Sequence, residues 1–234
     1  DTVSKEGAHL GLATDGDGDR FGVVDADGTF IQANLILAVL LDYLIKSRQW
    51  TGAVARSVAT THLIDAVATH HGLSVHETPV GFKYIGELLA KGEIVFGGEE
   101  SAGLSIKGHV PEKDGILAGA LVAEMVAFTG KTIQSLLKDL FARVGVLHST
   151  REDLTISEQM QEQVKNIIER PPTTFAGTEV SQVNKLDGCK WLLPDGSWYL
   201  IRPSGTEPIV RCYGEAKSVE RLDEIMQFGR ELLQ

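Results

Sequence analysis

Asp15, Asp17 and Asp19 occupy alternate positions of "TDGDGDRFGVVDADG", residues 14–28, with glycine between them and Arg20 directly after. Three carboxylates in one short loop repel one another unless a cation neutralises them, and all-oxygen donors suit a hard divalent ion such as magnesium. Such an ion keeps coordination positions for water or a phosphate oxygen. Beside an arginine, that is the chemistry of phosphoryl transfer, where positioning and charge neutralisation supply most of the catalysis. An EF-hand fits the first three ligands but fails at its sixth and twelfth positions, which are Arg20 and Ala26 instead of glycine and glutamate. A solvated Asp-Gly turn is the other reading of the loop; the strict alternation and the arginine favour the ion site.

Complementary groups lie further along the chain. "RPSGTEP", residues 202–208, offers the forked donors of Arg202, the hydroxyls of Ser204 and Thr206, and a backbone that Gly205 leaves open to an oxyanion. "GGEESAG", residues 97–103, follows an apolar run and carries Glu99 and Ser101, an acceptor and a donor of the kind sugar hydroxyls need. "TPVGFKYIG" places Lys83 at the start of a helix, and "GHVPEKDG" contains His109 and Lys113, both able to move protons in suitable surroundings. Each of these segments, taken alone, also reads as an ordinary turn.

The elements that must position these residues follow from periodicity. Short β-compatible runs flank the acidic loop, so it joins two strands. Helices are expected over about 32–48, 61–71, 82–91, 115–128 and 132–143, with strands "AVARSV", "SVHET" and "EIVFGG" between them. That alternation predicts a parallel mixed α/β sheet with helices on both faces. After Gly145 a helix near 157–169, the interruption "RPPTT", strands near 178–185, 189–193, 197–202 and 209–215, a "PDGS" hairpin turn and a last helix from Ser218 predict a smaller α+β domain with an antiparallel sheet.

The chain of 234 residues has 43% hydrophobic and 23% charged residues, a folded composition, and a formal net charge of −10. That charge argues against nonspecific nucleic-acid or membrane-surface binding. The longest apolar run, "LILAVLLDYLI", is interrupted by Asp42 and too short to span a bilayer. Cys189 and Cys212 form no metal-type cluster and read as reduced thiols of a cytoplasmic protein.

Together and in this order, "DGDGDR", "TPVGFKYI", "GEESAG", "GHVPEKDG" and "RPSGTEP" resemble the α-D-phosphohexomutases, the phosphoglucomutases and phosphomannomutases. The resemblance covers nearly the whole chain. It implies magnesium on Asp15, Asp17 and Asp19; sugar hydroxyls on Glu99 and Ser101; and the non-transferred substrate phosphate on Arg202, Ser204, Gly205 and Thr206. Lys83 and Lys113 match lysines of proton transfer or phosphate contact, with Arg20 and His109 as further catalytic candidates. It also implies a departure, since the family's phosphoserine segment, in an earlier domain, has no counterpart here. Residues 1–28 then correspond to the end of a second domain, 29–145 to an α/β/α third domain and 146–234 to a phosphate-binding fourth. The implied reaction interconverts hexose 1-phosphate and hexose 6-phosphate, of glucose or mannose, through a 1,6-bisphosphate that turns around in the site. Glucose 1,6-bisphosphate is the implied activator, and the missing N-terminal domains are the implied partner. "GEES" in place of "GEQS" leans towards glucose or mannose over glucosamine. A non-catalytic phosphosugar- or metal-binding module and a calcium-stabilised domain are the competing readings.

Overall fold

The computed structural model describes residues 1–155, 157–204 and 207–233, and the chain divides into two units, Asp1–Gly145 and Val146–Gln234.

The first unit opens with a short helix α1 (Thr2–Lys5) and the antiparallel strands β1 (Leu10–Thr14), β2 (Phe21–Asp25) and β3 (Phe30–Ile31). Thr14 pairs with Phe21, so the acidic loop is the connection of the β1–β2 hairpin, as the flanking strand runs predict. Phe21, Val23 and Asp25 are buried on alternate positions of β2. Asp25 belongs inside because its two oxygens accept the N–H groups of Ile133 and Gln134 at 3.1 and 2.8 Å, the exposed donors of a helix start. That anchor draws residues 1–28 into the same unit as 29–145.

Helix α2 (Ala33–Arg48) buries every residue from Ile36 to Ile45, which is why its sequence has no polar stripe. Among the described residues no single helix is long and apolar enough to cross a membrane. Then follow β4 (Ala53–Ser57), α3 (Leu63–His70), β5 (Ser74–Thr78), α4 (Phe82–Ala90), β6 (Ile94–Glu99), β7 (Gly103–Ile106), α5 (Gly115–Thr129) and α6 (Ile133–Val144). The sheet order is β5-β4-β6-β7, with β4 parallel to β5 and β6. β7 is the antiparallel member that makes this a mixed sheet: it runs back against β6 after a tight turn. Four residues after such a turn are too few to show a period. Side chains alternate between faces, so Gly97 lies against Ile85 of α4 while Gly98 lies against Leu37 of α2. Helices therefore cover both faces of this sheet.

The second unit contains β8 (His148–Thr155), α7 (Glu158–Glu169), β9 (Thr174–Phe175), β10 (Thr178–Glu179), β11 (Gln182–Asn184), β12 (Cys189–Leu192), β13 (Trp198–Pro203), β14 (Ile209–Ala216) and α8 (Val219–Leu232). Its antiparallel sheet has the order β11-β12-β13-β14-β8. β8 is an edge strand whose charged sequence, "HSTREDLT", hid it from a hydrophobic pattern. The strand expected over 178–185 is two pieces, β10 and β11, in different sheets. Phe175 centres the core, with ring centroids 5.3 Å from Trp191, 5.0 Å from Tyr199 and 4.7 Å from Phe228. Cys189 and Cys212 are free and buried, paired in register with Ile201 from either side, and burial pushes both thiols up to about 11.

Candidate active site

The acidic loop is shaped by its own backbone. Gly18 takes a left-handed φ of +75°, and its N–H donates to the Asp15 carbonyl at 3.2 Å. The Arg20 N–H donates to Asp15 Oδ1 at 3.1 Å, which holds that carboxyl below the usual carboxylate range. One ligand oxygen from each of Asp15, Asp17 and Asp19 lies within 4.8 Å of the others. Cations surround the cluster: Arg20 Nε is 3.8 Å from Asp15 Oδ2 and 3.6 Å from Asp19 Oδ1, and Lys113 Nζ is 2.5 Å from Asp19 Oδ2. Three converging oxygen donors with positive side chains beside them fit a small divalent ion that also meets a phosphate.

Lys113 is brought there by the start of α5. Asp114 caps that helix, its carboxylate accepting the Leu117 N–H at 2.8 Å, and the Gly115 N–H donates to the Gly18 carbonyl of the acidic loop at 3.0 Å. His109 Nε2 lies 2.8 Å from the other Asp114 oxygen, so the structure places His109 on the helix cap. The hydrogen bond to Asp19, set against partial burial, raises the Lys113 pKa.

Glu99 ends β6 and is buried, with Oε1 accepting the Gly81 N–H at 2.7 Å. Gly81, with φ +130°, sits at the start of α4, so a helix N-terminus holds the carboxylate. Burial pushes the Glu99 pKa up and the neighbouring Glu100 adds to this, against the Gly81 N–H, Lys113 and Arg20. A side chain at Gly103 would press on Lys113 Cδ and the Phe82 ring, both at 3.2 Å, and stand 3.5 Å from Glu99 Oε2. The missing Cβ thus lets Glu99 and Lys113 share one small space. Ser101 lies half-buried in the β6–β7 turn. Lys83 is exposed on the first turn of α4, its ammonium 4.8 Å from the Tyr84 ring centroid.

In the second unit, Arg202 Nε donates to Asp187 Oδ2 at 2.7 Å. Gly188 brings that loop against β13, since a Cβ there would collide with the Ile201 carbonyl. The Ser204 N–H donates to the Ile209 carbonyl at 2.9 Å and its Oγ accepts the Glu207 N–H at 3.3 Å. A cleft of about 560 Å³ beside the loop is lined in part by Lys165, Glu169, Ser204 and Glu207. Gly205 and Thr206 lie outside the described residues. Asp187 is a partner that sequence reading missed, and "KLDG" gives no signal for it.

Comparison with known proteins agrees with this architecture. Residues 32–144 match the family model "Phosphoglucomutase/phosphomannomutase, alpha/beta/alpha domain III", and residues 159–232 match its "C-terminal domain". A phosphoglucomutase/phosphomannomutase of Thermococcus kodakarensis is 31% identical over 99% of this chain and 48% of its own length. A Pyrococcus furiosus protein named as a phosphoglucosamine mutase is 34% identical over 99% of this chain and 49% of its own. A crystal structure from Thermus thermophilus, described as a phosphomannomutase, superposes with a TM-score of 0.79 at 35% identity, over 99% of this chain and 48% of that one. The chain spans about half the length of the curated relatives it matches, and it belongs to the phosphoglucomutase/phosphomannomutase family of phosphohexomutases.

Proposed function

We propose that this chain supplies the metal, sugar and phosphate contacts of a magnesium-dependent phosphohexomutase interconverting hexose 1-phosphate and hexose 6-phosphate. The observation that carries the reading is the gathering of Asp15, Asp17 and Asp19, Arg20, Lys113 and Glu99 around the start of α5 and the β6–β7 turn. Asp15, Asp17 and Asp19 would hold the magnesium ion, which when bound neutralises charge on a phosphate oxygen. Arg20 and Lys113 donate to the other oxygens of that phosphate, and Lys83, on the first turn of α4, is a further candidate for phosphate contact or proton transfer. Glu99, fixed by the Gly81 N–H, accepts from sugar hydroxyls, and Ser101 donates to or accepts from its neighbour. Arg202 and Ser204, with Gly205 and Thr206, take the phosphate that is not transferred. His109 steadies the cap that carries Lys113.

The group transferred is the phosphoryl group of a phosphoserine in a part of the protein outside this sequence: it passes to the free hydroxyl of the hexose phosphate, which becomes a 1,6-bisphosphate, and the bisphosphate returns its other phosphoryl group to the serine. Residues 1–28 would be the end of the domain that precedes 29–145. Glucose and mannose phosphates are the preferred substrates on this reading. The likeness to a protein named as a phosphoglucosamine mutase makes glucosamine phosphate the competing substrate. The test is a titration of the chain with glucose 6-phosphate, mannose 6-phosphate and glucosamine 6-phosphate in magnesium, following amide chemical shifts. Shifts at residues 15–20, 99–103 and 202–204 are expected, larger for the first two ligands. Shifts confined elsewhere, or none, would overturn the reading.

A further inference from the structure

The β6–β7 turn carries Glu99, Glu100 and Ser101 in succession, and the structure sends the two glutamates to different partners. Glu99 meets the start of α4 through the Gly81 N–H. Glu100 Oε2 instead accepts from Ser57 Oγ at 2.9 Å and Thr60 Oγ1 at 3.2 Å, and the Glu100 N–H donates back to Thr60 Oγ1 at 3.0 Å. The two hydroxyl oxygens are 2.8 Å apart and both residues are fully buried. The Thr60 N–H also donates to the Ser57 carbonyl at 3.0 Å, so the hydroxyl pair is set by its own turn after β4. Buried hydroxyls need partners, and Glu100 supplies them from across the sheet.

The turn that receives this support is under constraint. Ala102 has φ +68°, a left-handed conformation that a side chain disfavours, and its N–H donates to the Glu99 carbonyl at 3.0 Å. Such a conformation persists where the surroundings over-determine it. We propose that Glu100 is a positioning residue: through Ser57 and Thr60 it locks the β6–β7 turn in the shape that presents Glu99 and Ser101 to a ligand. The role needs oxygen acceptors at position 100 rather than a negative charge. On this view a glutamate-to-glutamine difference between Glu99 and Ser101 influences substrate choice only through the geometry of the turn. The sugar-binding half of the inference rests on the mutase reading; the latch itself does not.

The test compares Glu100→Ala, Glu100→Gln and the double variant Ser57→Ala/Thr60→Val in the chain. Amide hydrogen exchange needs no ligand. Exchange at Ala102 should speed up about tenfold or more in Glu100→Ala and in the double variant, stay within about threefold of wild type in Glu100→Gln, and be unchanged at Val54 and Phe96 in the sheet. Affinity for glucose 6-phosphate should fall about tenfold in Glu100→Ala and the double variant and within about twofold in Glu100→Gln. Three results overturn the proposal: wild-type exchange at Ala102 in Glu100→Ala, equal damage by Ala and Gln, or a uniform rise across the sheet. Should Glu100→Ala not fold, the double variant and Glu100→Gln decide by the same exchange criterion. If the wild-type chain binds no phosphosugar, the mutase reading fails while the exchange data still decide the latch.

Discussion

Gly115 donates its amide N–H to the Gly18 carbonyl at 3.0 Å, joining the first turn of α5 to the acidic loop. A Cβ at position 115 would collide with the Arg20 carbonyl and stand 2.9 Å from Gly18 O. Gly115→Ala should push the helix start off the loop, at a cost of about 1–3 kcal/mol in unfolding free energy. Because Lys113 and the loop then lose their shared frame, magnesium-induced shifts at residues 15–20 should need several-fold more metal than in wild type. Unchanged titration and unchanged urea midpoint would mean that the contact has no positioning role.

Asp42 is a second anchor, remote from this chemistry. Burial pushes its carboxyl up, but hydrogen bonds from Arg143, Lys46 and His71 outweigh burial and hold it well below the usual range. Arg143 bonds both oxygens at 2.8 Å, tying α6 to α2. A depressed folded pKa gives stability that is present above the unfolded value of about 3.8 and is lost as pH falls through the folded one. Asp42→Asn should therefore destabilise the chain at pH 7 by about 3–5 kcal/mol and by clearly less at pH 2, where part of the linked stability is already lost. Urea unfolding at both pH values checks the sign; an equal loss at both would remove the charge from the account.

Arg202→Ala should weaken glucose 6-phosphate binding about ten- to a hundredfold, the usual loss of a charge-assisted pair, and leave glucose binding unaffected. Asp187→Asn, which loosens the guanidinium without removing it, should cost less. Glu99→Gln should weaken both ligands, since hydroxyls are common to them. Competition titrations read all three; equal binding of glucose 6-phosphate by wild type and Arg202→Ala would remove the phosphate role from this loop.

The chain by itself should not turn over glucose 1-phosphate with magnesium and a trace of glucose 1,6-bisphosphate, because on the proposed reading the phosphoserine is supplied by residues outside it. Steady turnover that scales with chain concentration and survives repurification would reveal an unrecognised nucleophile.

Local patterns were legible in the sequence. The β-compatible runs on either side of the acidic loop placed it between two strands, and the helix expected over 32–48 is found as the buried α2. Short or charged strands were not legible: β7 has four residues, and β8 carries Arg151, Glu152 and Asp153 in succession on a sheet edge. The supports of the site were hidden for a different reason. Ser57 and Glu100, Gly18 and Gly115, and Asp187 and Arg202 meet only through the fold, and no residue spacing announces them. The type of His109 suggested proton transfer, and only the fold shows that its ring lies against the Asp114 cap.

On the mutase reading, Asp15, Asp17 and Asp19 form a divalent-ion site flanked by Arg20 and Lys113. Magnesium titration of wild type and Asp17→Asn, by calorimetry and by amide shifts at residues 15–20, tests it most directly. One weakly bound ion per chain, shifts centred on the loop, and an affinity lowered about tenfold or more in the variant, which has one anion fewer around the ion, are expected. Equal affinity in Asp17→Asn, or calcium bound far more tightly than magnesium, would contradict it.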